Sequence, residues 1–174
     1  MSGRQATRAE NQARREAERE ARRQHWLEVD LPKRRAEVRS EVERRGLASF
    51  MNDTRWRALC EAVQVDLTFP PGFQLKPVVG EPDPEPDIEA LTYLGAWSEL
   101  EPFFEIEWLR VVPRYRQPVG ALVSDEIVDA TDAFRDILVR LGVAFREDEA
   151  RTFWIYGYAP ADPATLTSPP EKPT

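Results

Sequence analysis

The chain is poor in the residues on which most small-protein chemistry is built. Its 174 residues include one cysteine, Cys60, one histidine, His25, and two methionines. A lone thiol excludes a disulfide framework, and one cysteine with one histidine cannot make a Cys/His zinc site. His25 lies in a charged stretch beside Trp26, with no serine or carboxylate arranged about it, so a Ser-His-Asp triad is excluded too. No apolar run approaches the roughly 18–20 residues that span a bilayer. Met1 to Arg23 has no hydrophobic segment of a secretory signal. It is Arg- and Ala-rich like a mitochondrial presequence, but Glu10, Glu16, Glu18 and Glu20 argue against that reading. Glycine-rich phosphate loops and metal-ligand spacings are missing as well. We therefore expect a cytoplasmic protein without cofactor or metal, and not an enzyme.

What is abundant is charge, and it is unevenly placed. The net value of −7 divides into +4 for residues 1–46, with 13 Arg/Lys against 9 Asp/Glu, and −11 for the remainder, with 11 against 22. Residues 5–24 are strong helix formers with Glu/Arg pairs at three- and four-residue spacing and no large apolar side chain. Pro32 fits the first turn of a second helix, 33–45, whose seam is only Leu31, Val38 and Val42, and Gly46 is a natural stop. Residues 1–46 thus read as a charged helical arm. At the other end, 159–174 is rich in proline with almost nothing apolar and reads as a disordered tail. The acidic, proline-rich stretch 80–87 reads as an exposed, stiff loop.

Between them, 47–158 reads as a compact domain. Asn52, Asp53 and Thr54 suit a helix N-cap, and Trp56, Leu59, Cys60 and Val63 follow at i, i+3, i+4 and i+7, which predicts a helix over 54–64 with Cys60 a buried, inert thiol. Residues 73–79 read as a strand, with Phe73 and Leu75 on one face and Pro77 keeping it at a sheet edge. Leu91 to Trp97 is a further strand. In Phe103 to Val112, Phe104, Ile106 and Trp108 alternate with Glu105, Glu107 and Leu109. Asp125 to Leu141 reads as one amphipathic helix capped by Ser124, with Ile127, Ala130, Phe134, Ile137, Leu138 and Leu141 on its apolar stripe. Val143–Arg146 and Thr152–Tyr158 finish the domain as strands, the latter aromatic on both faces and so central in its sheet. Connections too short for parallel crossovers make this an α+β fold, a mainly antiparallel sheet with two helices packed on one face.

Three constellations are candidates for function. Asp125, Asp129, Asp132 and Asp136, spaced by four, three and four, would share one face of the helix opposite its apolar stripe. Four aspartates in such a row repel one another, and Asp is a poor helix former, so a basic partner is one reason to keep them. Glu105 and Glu107 would stand about 7 Å apart on one strand face, a spacing compatible with acid–base work or an extension of the acidic surface. Trp154 and Tyr156 share a strand face and could form a contact platform. Arginines of the arm could track phosphates, but the interspersed glutamates dilute that field, so nucleic acid is not the expected partner.

Met51-Asn-Asp-Thr-Arg-Trp56 and Glu105-Ile-Glu-Trp108 resemble the opening Met-Asn-x-Thr-Lys-Trp and a later Ile-Glu-Trp strand of a family of small bacterial proteins of unknown function. The resemblance covers roughly residues 51–158, with Arg55 where lysine is usual. It implies a bacterial, cytoplasmic protein and no particular active site.

Together these features lead us to expect a protein-binding domain that neutralises a basic protein partner, such as a bacterial toxin, as immunity proteins do, through Asp125, Asp129, Asp132, Asp136, Glu105, Glu107, Trp154 and Tyr156. The alternatives are an adaptor whose Arg/Glu helix docks on a larger assembly or nucleic acid, and a small enzyme working through Glu105 or Glu107.

Overall fold

The computed structural model describes residues 3–84, 97–117, 119 and 126–161, with side chains from residue 11 onward. The chain divides into two compact units, residues 1–39 and 40–174. In the first, helix α1 (Gly3–His25) winds without a break through a π-helical turn, Trp26–Asp30, into helix α2 (Leu31–Arg45). Pro32 is the second residue of α2 and follows helical turns, so its missing N–H removes one bond of the helical path; the π turn just before it, with the Leu31 N–H on the Trp26 carbonyl, lies where the path accommodates the proline. Trp26, Leu27 and Val29 of the π turn are exposed. The last turn of α2, from Ser40, belongs to the second unit, and Gly46 ends it at φ +63 with its N–H on the Glu43 carbonyl.

The second unit is α+β. Strand β1 (Leu47–Ser49) precedes helix α3 (Asp53–Asp66), then come strands β2 (Gly72–Pro77), β3 (Ile106–Val112), β4 (Arg114–Gln117) and β5 (Glu126–Asp129), helix α4 (Thr131–Arg140) and strands β6 (Phe145–Glu147), β7 (Phe153–Tyr156) and β8 (Tyr158–Pro160). The main sheet has the order β2-β3-β7-β6 and is antiparallel throughout. Two-stranded antiparallel ribbons, β1 with β8 and β4 with β5, accompany it.

Pro77 lies on an edge strand, as its missing N–H requires, and the doubly aromatic β7 is interior. One face of the sheet carries both helices. There Leu109, Val111, Phe153 and Ile155 pack with Trp56, Leu59 and Val63 of α3 and Phe134, Ile137 and Leu138 of α4. Cys60 is buried in this core, and burial together with the charge of Glu101 raises its thiol to about 11, which suits an inert core residue. Asn52 caps α3, its side chain accepting the Arg55 N–H at 2.8 Å. Asn52→Ala is expected to lower stability by about 1 kcal/mol in urea titration, and a loss under a few tenths would mean that the cap is redundant.

Four expectations need correction. The span Asp125–Leu141 is not one helix: Glu126–Asp129 is extended and pairs with β4, and α4 starts only at Thr131. β-Branched Ile127 and Val128 favour the ribbon, Ala130 donates to the Pro113 carbonyl, and the Asp129 carboxylate accepts the Thr131 N–H at 2.7 Å, a local bond that starts the helix there. Ile127, read as part of the apolar stripe, is 62% exposed. Phe103–Glu105 is a 3-10 turn and the strand begins at Ile106. The last strand breaks at Gly157 into β7 and β8. Ala159 and Pro160, read as the start of the tail, pair with Ala48 and Leu47. Residues 91–96 of the strand read over Leu91–Trp97 lie outside the described residues; Trp97 itself is buried in a 3-10 turn, its indole N–H on the Pro71 carbonyl at 2.8 Å.

Candidate functional site

The structure distributes the candidate residues over three places in the second unit, and Asp125 lies outside the described residues.

The first place is built by an irregularity in β3. Lys76 of β2 pairs with Trp108 and Pro77 with Ile106, so Glu107 is an extra residue, a β-bulge. One inserted residue exchanges the faces beyond it. Ile106 therefore joins Leu109 and Val111 in the helix-side core, while Trp108 lies on the opposite face with Tyr156. The even alternation read from Phe104 to Leu109 is broken at this point, and Glu105 and Glu107 do not form a pair on an outward face. Glu105 sits half-buried in the 3-10 turn, and its carbonyl accepts the Val78 N–H. Glu107 is buried, at 7% exposure. Both its oxygens are engaged: Arg45 donates Nη1 to Oε2 at 2.7 Å and Nη2 to Oε1 at 2.6 Å, and Lys76 Nζ reaches Oε2 at 2.8 Å. The carboxylate holds the Arg45 guanidinium above its ordinary range. The cluster ties the end of α2 to β2 and β3.

The second place is the acidic end formed by β5, α4 and the β6–β7 hairpin. Asp132 and Asp136 are on α4 and Asp129 is on β5, so the aspartates do not share a single helix face. Arginines thread between them. Arg135 reaches Asp132 at 2.6 Å and both oxygens of Glu147 at 2.7 Å; Arg151 reaches Asp132 at 2.7 Å and Asp129 at 3.6 Å. Arg151 adopts φ +55, uncommon for a residue with a Cβ, and the hairpin thereby aims its side chain at both aspartates. Hydrogen bonds from Arg135 hold Asp132 and Glu147 below the usual carboxylate range. Burial raises Asp129, but bonding from Thr131 and the charges of Arg151 and Arg114 bring it below as well. Asp136 and Glu149 are exposed and have no ion-pair partner among the described residues.

The third place is the sheet face away from the helices. Trp154 and Tyr156 do share it, but as a packed layer rather than an open platform: Tyr156 is 5% exposed, beside Trp108, Ala159 and Phe50. Trp108 meets Trp154 edge-on at 5.0 Å. The strand register places Arg110 of β3 and Arg146 of β6 directly across from Trp154 on either side, with their guanidinium carbons 5.6 and 5.8 Å from its ring centroid. Neither arginine is prominent in the sequence. Each stands alone in its strand, and only knowing which strands flank β7 brings them together.

Among the described residues no helix is long and apolar enough to cross a membrane, and no group of three or more His, Cys, Asp or Glu could hold a metal ion. No curated protein and no solved structure matches the chain. The profile of a family of unknown function, DUF6678, matches residues 38–162, a wider span than the Met51–Trp56 and Glu105–Trp108 motifs delimit. The chain belongs to this uncharacterised family.

Proposed function

We propose that the protein binds and neutralises a basic protein partner in the cytoplasm, in the manner of an immunity protein acting on a bacterial toxin, and that the acidic end of the second unit makes the contact. The observation that supports this reading is the carboxylate excess there. Asp129, Asp132, Asp136, Glu147, Asp148 and Glu149 are set against Arg114, Arg135 and Arg151. The arginines change the form of the reading. They neutralise part of the surface and fix the geometry of the rest, so Asp136, Glu149 and the exposed rim of Asp132 carry the attraction. Complementary charge of this kind acts mainly on association rate and on partner choice.

The test is stopped-flow association with a candidate basic toxin at low and at high salt. Asp136→Asn combined with Glu149→Gln is expected to slow association roughly tenfold at low salt and little at high salt. Arg151→Gln is expected to act in the opposite direction, because it releases Asp129 and Asp132 from an internal cation. Association that ignores salt and both variants would remove the acidic end from the contact. The lowered titration of Asp132 and Glu147 adds a pH signature. Their charge, fully present above the ordinary carboxylate range, is lost only as pH falls through the lowered folded values, so the internal pairs with Arg135 that fix the geometry of the acidic end should persist somewhat into acid.

A further inference from the structure

The β4–β5 ribbon has an unpaired side. In an antiparallel pair, successive residues of one strand turn their backbone N–H and C=O groups alternately toward the neighbour and away from it. The phase is set at the end of β5, where the Ala130 N–H reaches the Pro113 carbonyl at 2.8 Å, one step beyond the Asp129–Arg114 pair. The backbone groups of Glu126 and Val128 therefore face β4, and those of Ile127 and Asp129 point outward. Among the described residues no strand lies on that side of β5, and no other backbone bond fills it.

The edges of the main sheet are less open. The outer side of β2 carries Pro77, and its Leu75 carbonyl accepts the Asp83 N–H at 2.7 Å. On the opposite edge, β6 is short and half-buried throughout. In β5, by contrast, Glu126, Ile127 and Asp129 are all exposed, and Ile127 presents an apolar β-branched side chain to solvent. Charge decides what can pair there. Glu126 has no ion-pair partner among the described residues, and Asp129 titrates below the usual carboxylate range. Pairing β5 with β5 of a second copy would gather the carboxylates of both on one sheet, and like charges across a ladder are destabilising. Along Glu126–Asp129 the strand reads acidic, apolar, apolar, acidic, so its complement reads basic, apolar, apolar, basic.

We infer that the outer edge of β5 takes up an extended segment of a basic protein as an added antiparallel strand, with apolar residues beside Ile127 and Val128 and basic ones beside Glu126 and Asp129. The inference rests on the acidic end as the contact surface and specifies what that surface holds, a strand of main chain rather than a diffuse positive charge. Main-chain hydrogen bonds to Ile127 and Asp129 supply the affinity, and the order of side chains selects the segment. Attraction by the surrounding carboxylates acts before contact and the strand edge after it, so the two can fail separately.

The experiment titrates the full chain with the capped peptide Ser-Lys-Val-Ile-Lys-Ser and follows the Ile127 and Asp129 backbone amides by two-dimensional NMR. A saturable shift of both is expected. N-methylation of the peptide isoleucine, whose N–H faces Ile127, should weaken binding at least about tenfold, whereas N-methylation of the valine, whose N–H points away, should change it little. The same peptide with glutamate in place of both lysines should bind several-fold more weakly. On the protein side, Ile127→Pro removes one outward N–H and leaves the pairing with β4, as proline does on an edge strand, and should cost about tenfold; Ile127→Thr, which keeps the N–H, should cost much less. The methylated peptides test the same bond without altering the fold. No saturable shift, equal binding of the two methylated peptides, or equal binding of the glutamate peptide overturns the inference. Salt-dependent binding that ignores both the methyl groups and Ile127→Pro also overturns it, and leaves the acidic end standing as a charged surface. Failure of that surface is read separately, in toxin association that ignores salt and Asp136→Asn with Glu149→Gln.

Discussion

Replacing Glu107 with glutamine is expected to lower stability by about 3 kcal/mol, although the two side chains have nearly the same volume and no cavity results. The cost is electrostatic. The Glu107 side chain is 10% exposed, and it anchors Arg45, at 28%, and Lys76, at 21%. Glutamine retains one carbonyl oxygen and turns an NH2 group toward a cation, so the Arg45 guanidinium and the Lys76 ammonium are left beside each other without their counter-ion. Breaking a buried pair from one side costs roughly 3–5 kcal/mol; the partial exposure of both cations lets water return to them and puts the value near the lower end. Lys76→Met should cost less, about 1 kcal/mol, because the two-pronged Arg45 contact survives and the methionine covers the same surface. Urea titration of the three proteins checks the order. If Glu107→Gln and Lys76→Met lose the same amount, or if neither loses more than a few tenths, the carboxylate is not the hub of the cluster. The loss should also affect β2 and the end of α2 together, since the three side chains join those elements and β3, and hydrogen exchange would show both opening earlier.

Much of this architecture is legible in the sequence wherever a regular period runs uninterrupted. Trp56, Leu59, Cys60 and Val63 mark α3, Phe134, Ile137, Leu138 mark the buried side of α4, and the aromatic run 153–156 marks a central strand, because burial acts on each of these positions in the same way. What is not legible are the places where one residue changes the phase. Phe-Glu-Ile-Glu-Trp alternates so evenly that nothing in it announces a bulge, yet the bulge is what carries Glu107 to cations instead of to solvent. Ile127 stands seven residues before Phe134 and extends the helical period by coincidence into a segment whose backbone partners lie in β4. That coincidence aligned the aspartates on one face, and the actual helix start separates them. The candidate sites follow the same logic. Glu107 stands out as an acidic residue in an apolar strand, but its principal partner, Arg45, is 62 residues away in a stretch that reads as part of a peripheral arm. Arg110 and Arg146 acquire meaning only through the register on either side of Trp154.

Gly157→Ala is the second change with a large expected effect, and its cause is a close approach of backbone to backbone. A Cβ at this position would lie 2.1 Å from the Ile106 carbonyl oxygen and 3.2 Å from its carbon. Neither atom belongs to a flexible side chain, so relief requires β3 and β7 to move apart. They are held together at this point: Gly157 donates its N–H to the Glu107 carbonyl at 2.8 Å and accepts from the Phe50 N–H at 2.9 Å. The glycine thus closes the bulge on one side and joins the β1–β8 ribbon to the main sheet on the other. Overpacking of a rigid site costs about 1–3 kcal/mol and a lost backbone hydrogen bond about 1 more, so a loss of roughly 3 kcal/mol or above is expected, seen as a fall of about 10 °C or more in the thermal midpoint. Gly46→Ala provides the contrast. Gly46 has φ +63 and open space around it, so alanine there meets only the intrinsic penalty of the left-handed region, about 1–2 kcal/mol. The two variants separate the reasons a glycine is needed: backbone conformation at the end of α2, and contact distance where β7 turns into β8. Should Gly157→Ala lose no more than Gly46→Ala, the sheet yields at Ile106 and the bulge is not clamped by Gly157. Should it lose the larger amount, the same variant is expected to shift the Trp108 and Tyr156 environments in near-ultraviolet circular dichroism, because the ribbon that covers them hangs from the Phe50–Gly157 bond.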